Sequence, residues 1–395
     1  MMLPAHELPC LVIDEAALQH NIETMAAYAT ASGAVLAPHI KTHLAEAITR
    51  RQLEAGAWGV TVATPGQARW AAEYGARRIV VANEVLEPAG LDFLAGLDAR
   101  GIWSACLVDS VDGVRAMDAA LTRPLRVLVE LGSEGGRCGA RTSADGTAIA
   151  AAVADSFHLR LVGVECYEGV LPGADEADRL QRVDELLGRV GDLAVELDRA
   201  DAFAEQPILS AGGSAYFDRV AEIFGAVELT DGRRPLVVLR PGAYVTHDHI
   251  AYQTLSPFGT RVTGFQALRP AAELWARVLS RPEPELAILG VGKRECPYDL
   301  DLPLVLRAVA PSGEVRDATH TEVFAMNDHH TYCRLPVDSE MAVGDAVALG
   351  MSHPCTFFDK WDEIPILDSS GRTVEIAYPQ VACTHPDAER SIDPR

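Results

Sequence analysis

The chain has 395 residues, 48% of them hydrophobic, enough for two domains and a large core. Thirty-four basic residues against 56 acidic ones give a formal charge of -22, which argues against a general binder of nucleic acid or anionic membranes. No apolar stretch approaches the roughly 18 to 20 residues that span a bilayer. The start MMLPAHELPC lacks the charged and apolar regions of a signal peptide, and the eight cysteines are scattered without disulfide or zinc-finger spacing, so a cytoplasmic protein with reduced thiols is expected.

From about residue 34 to residue 245, short β-branched or apolar runs alternate with Ala-rich amphipathic segments, the pattern of repeated βα units. Candidate strands are Ala34–Leu36, Gly59–Val62, Arg78–Val81, Ser104–Val108, Leu125–Leu131, Leu159–Cys166, Pro207–Ser210, and then either Ala226–Leu229 or Leu236–Leu239. Helix-like stretches such as Leu44–Ala55, Gly66–Tyr74 and Asp175–Arg199 lie between them. Close to eight such repeats fit a closed (β/α)8 barrel, in which catalytic residues sit at the C-terminal ends of strands. After about residue 255 the texture changes to Pro- and Gly-punctuated alternation, as in Glu273–Leu279 and Val343–Leu349, and reads as a β-domain. Pro9–Asp14 is expected to be its first strand. The expected division is a barrel over 15–255 and a mostly antiparallel β-domain over 1–14 plus 256–395.

Pro38-His39-Ile40-Lys41-Thr42-His43 ends the first barrel run and sets one lysine between two histidines. A lysine on a basic, partly buried strand end loses its proton more readily than a surface one, and a neutral amine attacks an aldehyde, so pyridoxal phosphate held as a Schiff base is the expected partner. An ordinary solvated loop is the alternative. Arg137, in the glycine-dense exit Glu130–Gly139, and Tyr167, in Glu165–Gly169, are the natural partners for a planar cofactor if one is bound. Ser210-Ala211-Gly212-Gly213-Ser214 follows a strand and precedes a helix, so its N–H groups either cradle a phosphate or simply connect the two. Arg240-Pro241-Gly242-Ala243-Tyr244 offers a guanidinium and a phenol at a later strand end.

His353-Pro354-Cys355 would aim an imidazole and a thiol the same way from an extended segment, a zinc-type pair that leaves positions open for a Lewis-acid role. Asn327-Asp328-His329-His330 and His247-Asp248-His249 add polar density that reads equally as capped turns.

Together these segments, with Gly292-Lys293-Arg294, resemble the fold-type III pyridoxal-phosphate enzymes, and within them the D-serine dehydratases, D-threonine aldolases and D-3-hydroxyaspartate dehydratases. The resemblance runs nearly end to end. It implies that Lys41 anchors the cofactor and acts as catalytic base, and that Gly212, Gly213, Ser214, Gly242 and Ala243 hold the phosphate. Arg240 is implied to face the pyridine nitrogen, with His39, Arg137, Tyr167, Ser210 and Tyr244 completing the cofactor-binding set. His353 and Cys355 are implied to bind a divalent metal, zinc by the thiol's preference. Thr42, His43, Asp328, His329 and His330 are substrate-side candidates; Asp328 and His329 fall where relatives usually show a Glu-His pair, and His330 replaces the glycine that tends to follow. The implied activity is dehydration of a D-β-hydroxy amino acid such as D-serine, D-threonine or D-3-hydroxyaspartate to an oxo acid and ammonia, by a homodimer. Aldol cleavage to glycine and an aldehyde is the alternative, followed by a racemase using Tyr298 or Tyr332 as second base and by a non-catalytic pyridoxal-phosphate carrier.

Overall fold

The computed structural model describes residues 6–380, and among them the expected alternation of strand and helix becomes a parallel barrel. The first strand, β1 (Cys10–Asp14), lies outside it. Then come β2 (Val35–Leu36), β3 (Val60–Val62), β4 (Arg78–Glu84), β5 (Trp103–Val108), β6 (Leu125–Leu131), β7 (Leu159–Cys166), β8 (Ile208–Ala211) and β9 (Leu236–Leu239). Their spatial order is β2-β9-β8-β7-β6-β5-β4-β3, every pairing parallel. Closing the remaining edge falls to a single bridge between His39 and Thr61. Around it the Thr61 N–H donates to Pro38 O at 2.8 Å, its hydroxyl to Ala37 O at 2.8 Å, and the Trp58 N–H to Leu36 O at 2.8 Å. Small and branched side chains fill the interior, with Ala37, Ala105, Leu107, Leu128, Val162, Ile208 and Val238 forming one buried cluster.

Helices between the strands follow their apolar spacing. Glu176–Arg199 buries Val183, Leu186, Leu187, Val190, Leu193, Ala194 and Leu197 along one stripe, and the Asp175 side chain caps its start by accepting from the Asp178 N–H. Among the described residues, no helix is long and apolar enough to cross a membrane.

The second sheet comprises β1 and nine later strands: β10 (Ala272–Glu283), β11 (Leu286–Leu289), β12 (Leu304–Val309), β13 (Val315–Arg316), β14 (Glu322–Met326), β15 (Thr331–Arg334), β16 (Ala346–Gly350), β17 (Ile364–Leu367) and β18 (Thr373–Ala377). Its pairings are antiparallel except β1 with β17. The N-terminal strand thus joins the C-terminal half of the chain, pairing Cys10 with Trp275 and Ile13 with Ala272. Contacts gather residues 28–44, 52–241 and 380 into the barrel unit, and residues 6–27, 45–51 and 242–379 into the sheet unit, so the chain changes unit at Gly242.

Two expected strands need correction. Ala226–Leu229 is not one, because Ala226 ends the helix Phe217–Ala226 and the chain then turns through Thr230–Gly232; the barrel strand is Leu236–Leu239. The sheet run expected over Val343–Leu349 starts at Ala346, because Gly344 has φ 95° and the Asp345 N–H closes a turn onto Ala342 O.

Thr61→Val tests the barrel closure, since it removes the buried hydroxyl that ties β3 to Ala37 while keeping the side chain's shape. The expected loss is about 1 kcal/mol, read as a melting temperature lower by about 2–4 °C; an unchanged melt would show that this bond does not support the closure.

Candidate functional site

At the C-terminal ends of the barrel strands, the chain past β2 runs into a 3-10 turn over Ile40–Thr42, and the His39 N–H is tied to Pro241 O at 3.1 Å. Ile40 and Thr42 are buried and Lys41 is exposed, so the lysine is not partly buried as expected. His43 is buried and hydrogen-bonded to Gln52 Oε1 at 3.3 Å; with Thr42 it is packed inside the turn, not presented as a substrate contact.

His39 is the point at which the expected residues meet. Its Nδ1 is shut off from solvent without a hydrogen-bond partner. Burial, and then the charges of Lys41, Arg240 and Arg137, hold its pKa well below the ordinary imidazole value, against a raising contribution from Thr61, so the ring is neutral. Arg240, 3% exposed at the end of β9, pairs through Nη2 with the Glu165 carboxylate and with Cys166 O at 3.2 Å, while its Nε has no partner. Arg137 lies over the Tyr167 ring, 4.9 Å from its centroid, and both line a cavity of about 190 Å³ together with Glu130 and Cys138.

The Arg137 loop is held from behind by Arg141, whose guanidinium donates to the carbonyls of Gly136, Arg137, Cys138 and Gly139 at 3.1, 2.7, 2.8 and 2.9 Å. Gly132 and Gly139 allow the loop's two ends to touch: a Cβ on Gly139, whose φ is 97°, would lie 2.4 Å from Gly132 N.

Four acidic residues missed by sequence reasoning lie in or beside this mouth. Glu130 hydrogen-bonds Glu84, and its pKa is pushed up to about 10 by burial first and then by the charges of Glu165 and Glu84. Glu84, Glu130 and Cys138 place ligand atoms within 4.8 Å of one another. Burial pushes the Cys138 thiol up to about 11, however, so its sulfur stays a thiol and not the thiolate a metal takes. Glu165, 1% exposed, is raised to about 7 by burial, against the pull of Arg240. Glu168 is fully buried, and its carboxylate accepts the Gly212 N–H at 3.2 Å and the Gly213 N–H at 2.5 Å. Acidic residues inside the apolar run Leu159–Cys166 and its exit were the available signal.

Ser210 and Tyr244 are placed differently from expectation. The Ser210 hydroxyl, 2% exposed, donates to Val238 O at 2.9 Å and ties β8 to β9 instead of facing the mouth. Tyr244 is among the largest fully buried side chains and sits in a 3-10 turn over Ala243–Val245 of the sheet unit, as core. Ser214 is half-buried, and Gly242 and Ala243 directly follow the barrel's last strand exit.

Within the sheet unit, His353 and Cys355 are brought together, but not by an extended segment. His353 has a left-handed backbone, φ 55°, and caps the helix Pro354–Phe358 that carries Cys355. The backbone is fixed there by Asp248, which accepts the His353 N–H at 3.1 Å and the Ile250 and Tyr252 N–H groups at 3.0 and 2.9 Å. The imidazole hydrogen-bonds the Cys355 thiol and, through Nδ1, the Asp299 carboxylate, and these bonds raise its pKa to about 9 against burial. Thr356 Oγ1 donates to the other Asp299 oxygen at 3.1 Å. Asp328, His329 and His330 form the exposed tip of the β14–β15 hairpin, where His329 bonds Glu295 at 2.6 Å and Asp328 lies 3.6 Å from Arg294. Tyr298 is exposed beneath two ammonium groups, Lys293 at 5.1 Å and Lys360 at 5.7 Å from its ring, and the Tyr332 hydroxyl accepts from Asn327 Nδ2 at 3.0 Å.

Residues 13–229 match the family model "Alanine racemase, N-terminal domain", and residues 271–367 match "Putative serine dehydratase domain". The chain is 28% identical to the 3-hydroxy-D-aspartate aldolase of Paracoccus denitrificans (strain Pd 1222) over 305 residues, covering 76% of this chain and 75% of the relative. It is 26% identical to the D-threonine aldolase of an Arthrobacter species over 366 residues, 91% of this chain and 89% of the relative. It shares its fold with the solved D-threo-3-hydroxyaspartate dehydratase from Delftia sp. HT23, at a TM-score of 0.75 and 23% identity, covering 95% and 98% of the two chains.

Glu130 generates a pH prediction. Its folded pKa of about 10 stands above the ordinary 4.5, so its stabilisation is complete below pH 4.5 and is lost as pH climbs through about 10. Glu130→Gln, which cannot ionise, should flatten the melting temperature against pH across that window; parallel wild-type and variant profiles would refute the buried neutral carboxyl.

Proposed function

The chain belongs to the alanine racemase N-terminal domain family of fold-type III pyridoxal-phosphate enzymes, and from that membership we propose a lyase that dehydrates D-β-hydroxy amino acids with the help of a divalent metal. The relatives support a lyase of D-hydroxy amino acids. The observation that carries the reading is the neutral His39 ring, its Nδ1 without a partner, among Lys41, Arg137 and Arg240 at the strand ends. The two orphaned buried nitrogens, His39 Nδ1 and Arg240 Nε, fit a polar planar group at this mouth.

Pyridoxal phosphate supplies the electron sink that stabilises a carbanion at Cα, and a divalent metal supplies a Lewis acid for the β-hydroxyl. Lys41 Nζ would hold the cofactor, and its free amine would be the base for the α-proton. Arg137 and Tyr167 bound the cavity that orients the ring. Arg240 Nε fits the pyridine nitrogen, and because a guanidinium does not surrender its proton, that nitrogen would stay unprotonated. Ser214 would supply hydrogen-bond donors for the phosphate. Asp299 holds His353 Nδ1 and leaves Nε2 for the metal, with Cys355 as a second, soft donor that favours zinc. The half-buried pair leaves the remaining coordination positions to water or substrate.

Metal at the β-hydroxyl supports two outcomes. Cys355 favours loss of the hydroxyl, which gives an oxo acid and ammonia. The aldolase names of the two curated relatives favour Cα–Cβ cleavage as the second reading. Product analysis on D-threonine with zinc-supplemented protein decides: 2-oxobutanoate with ammonia is expected, and glycine with acetaldehyde would overturn the dehydratase.

Lys41→Ala should abolish the visible absorbance of the bound cofactor, and retention of that band would refute Lys41 as anchor. For the metal, Asp299→Asn should weaken zinc affinity about 10–100-fold, measured by competition with a chromogenic chelator, at unchanged cofactor content. Equal affinity in both proteins would remove Asp299 from the metal's support.

A further inference from the structure

The glycine pair after β8 is a phosphate cradle only if its N–H groups face the phosphate, and here both are donated to a protein carboxylate. Glu168 reaches across from the exit of β7 with no solvent exposure, and its two oxygens take the Gly212 and Gly213 N–H groups. Two successive N–H groups at a strand-to-helix turn form an anion-binding nest. This nest is already filled. The glycines themselves are required by that arrangement: a Cβ on Gly213 would lie 2.3 Å from Glu168 Oε1, and one on Gly212 would lie 3.0 Å from Arg240 Cβ. The next residue, Ser214, is half-buried just ahead of the helix Phe217–Ala226, and its hydroxyl and N–H make no hydrogen bond among the described residues.

We propose that Glu168 is a positioning residue, an internal acceptor that grips the inner side of the glycine turn so that Ser214, and not Gly212 or Gly213, presents hydrogen-bond donors to the cofactor's phosphate. This rests on the proposed cofactor and adds which turn atoms serve it. The carboxylate does for the barrel what a second phosphate would do: it satisfies two buried donors and fixes the turn's direction. It also ties the exit of β7 to the exit of β8.

The test compares pyridoxal phosphate with pyridoxal, which lacks the phosphate, by absorbance titration of wild type, Glu168→Ala, Glu168→Gln and Ser214→Ala. Glu168→Ala is expected to weaken pyridoxal phosphate about tenfold or more while leaving pyridoxal within about twofold, because the two bonds that hold the turn are lost without touching the ring's contacts. Glu168→Gln, which keeps one acceptor oxygen, should lose less. Ser214→Ala should show the same selective loss, and it keeps the proposal testable if Glu168→Ala does not fold. Tighter binding of pyridoxal phosphate by Glu168→Ala would mean that Glu168 competes for the phosphate's own donors, and equal loss of both ligands would mean general damage; either overturns the proposal, as does an unaffected Ser214→Ala. Absence of the absorbance in wild type would instead sink the cofactor reading itself.

Discussion

The buried ion pair between Arg240 and Glu165 is the constraint around which the barrel mouth is arranged. Taking both charges out of water is costly, and their attraction repays the cost only when the remaining polar atoms are also satisfied. Here they are not: Arg240 Nε and Glu165 Oε1 both lack partners. Neighbours respond to the strained balance. Burial first, and then the charges of Lys41 and Arg240, takes the proton from His39, while burial first, and then Glu165, keeps the proton on Glu130. The pair also explains Gly212, since the Arg240 stem leaves no room for a Cβ there. A mouth with unmet polar capacity at its floor is prepared for a group that brings both an acceptor and a planar face.

The sheet unit solves a different problem, which is to hold two donors at the surface without burying them. His353 sits in the left-handed region, which an L side chain adopts at a cost of order 1–3 kcal/mol. Asp248 offsets that cost by collecting three N–H groups from two segments far apart in sequence. The loop from Gly292 to Asp299 then links this site to the β14–β15 hairpin: Lys293 and Arg294 N–H groups donate to Asn327 and Asp328 carbonyls, and Asp299 receives His353. Asp328, His329 and His330 therefore belong to the same connected framework as the His353–Cys355 pair, although none of them touches that pair in the contacts described above.

Much of the fold was legible because both signals are local. Parallel strands buried on both faces read as short apolar runs, and the amphipathic helices between them read by period, so β2 through β8 emerge from spacing, and β9 as one of two candidate runs. The positions of Lys41, Arg137, Tyr167 and Arg240 at strand exits follow from the same count, whereas the contact of Arg137 with the Tyr167 ring does not. What escaped is long-range. Nothing near Glu168 in sequence announces Gly212 and Gly213, and nothing near His353 announces Asp299 or Asp248. Ser210 and Tyr244 were misplaced for a related reason: a polar side chain beside a glycine turn reads as a ligand contact, whereas a neighbouring strand or a core can absorb it equally well. The extended reading of His353–Cys355 failed on Pro354, which starts a helix as readily as it extends a chain.

Charge sets one further condition on the site. A chain with a formal charge of -22 repels anionic amino acids at long range, yet the barrel mouth gathers Lys41, Arg137 and Arg240 around one neutral ring. At physiological ionic strength, screening over about 8 Å removes most of the distant repulsion. Charges that lie within that length of a ligand at the mouth are screened far less, so the local cations still act. Net charge therefore governs solubility and the local cluster governs capture, so the acidic composition that argues against nucleic acid and anionic membranes leaves an anionic small molecule as an admissible ligand.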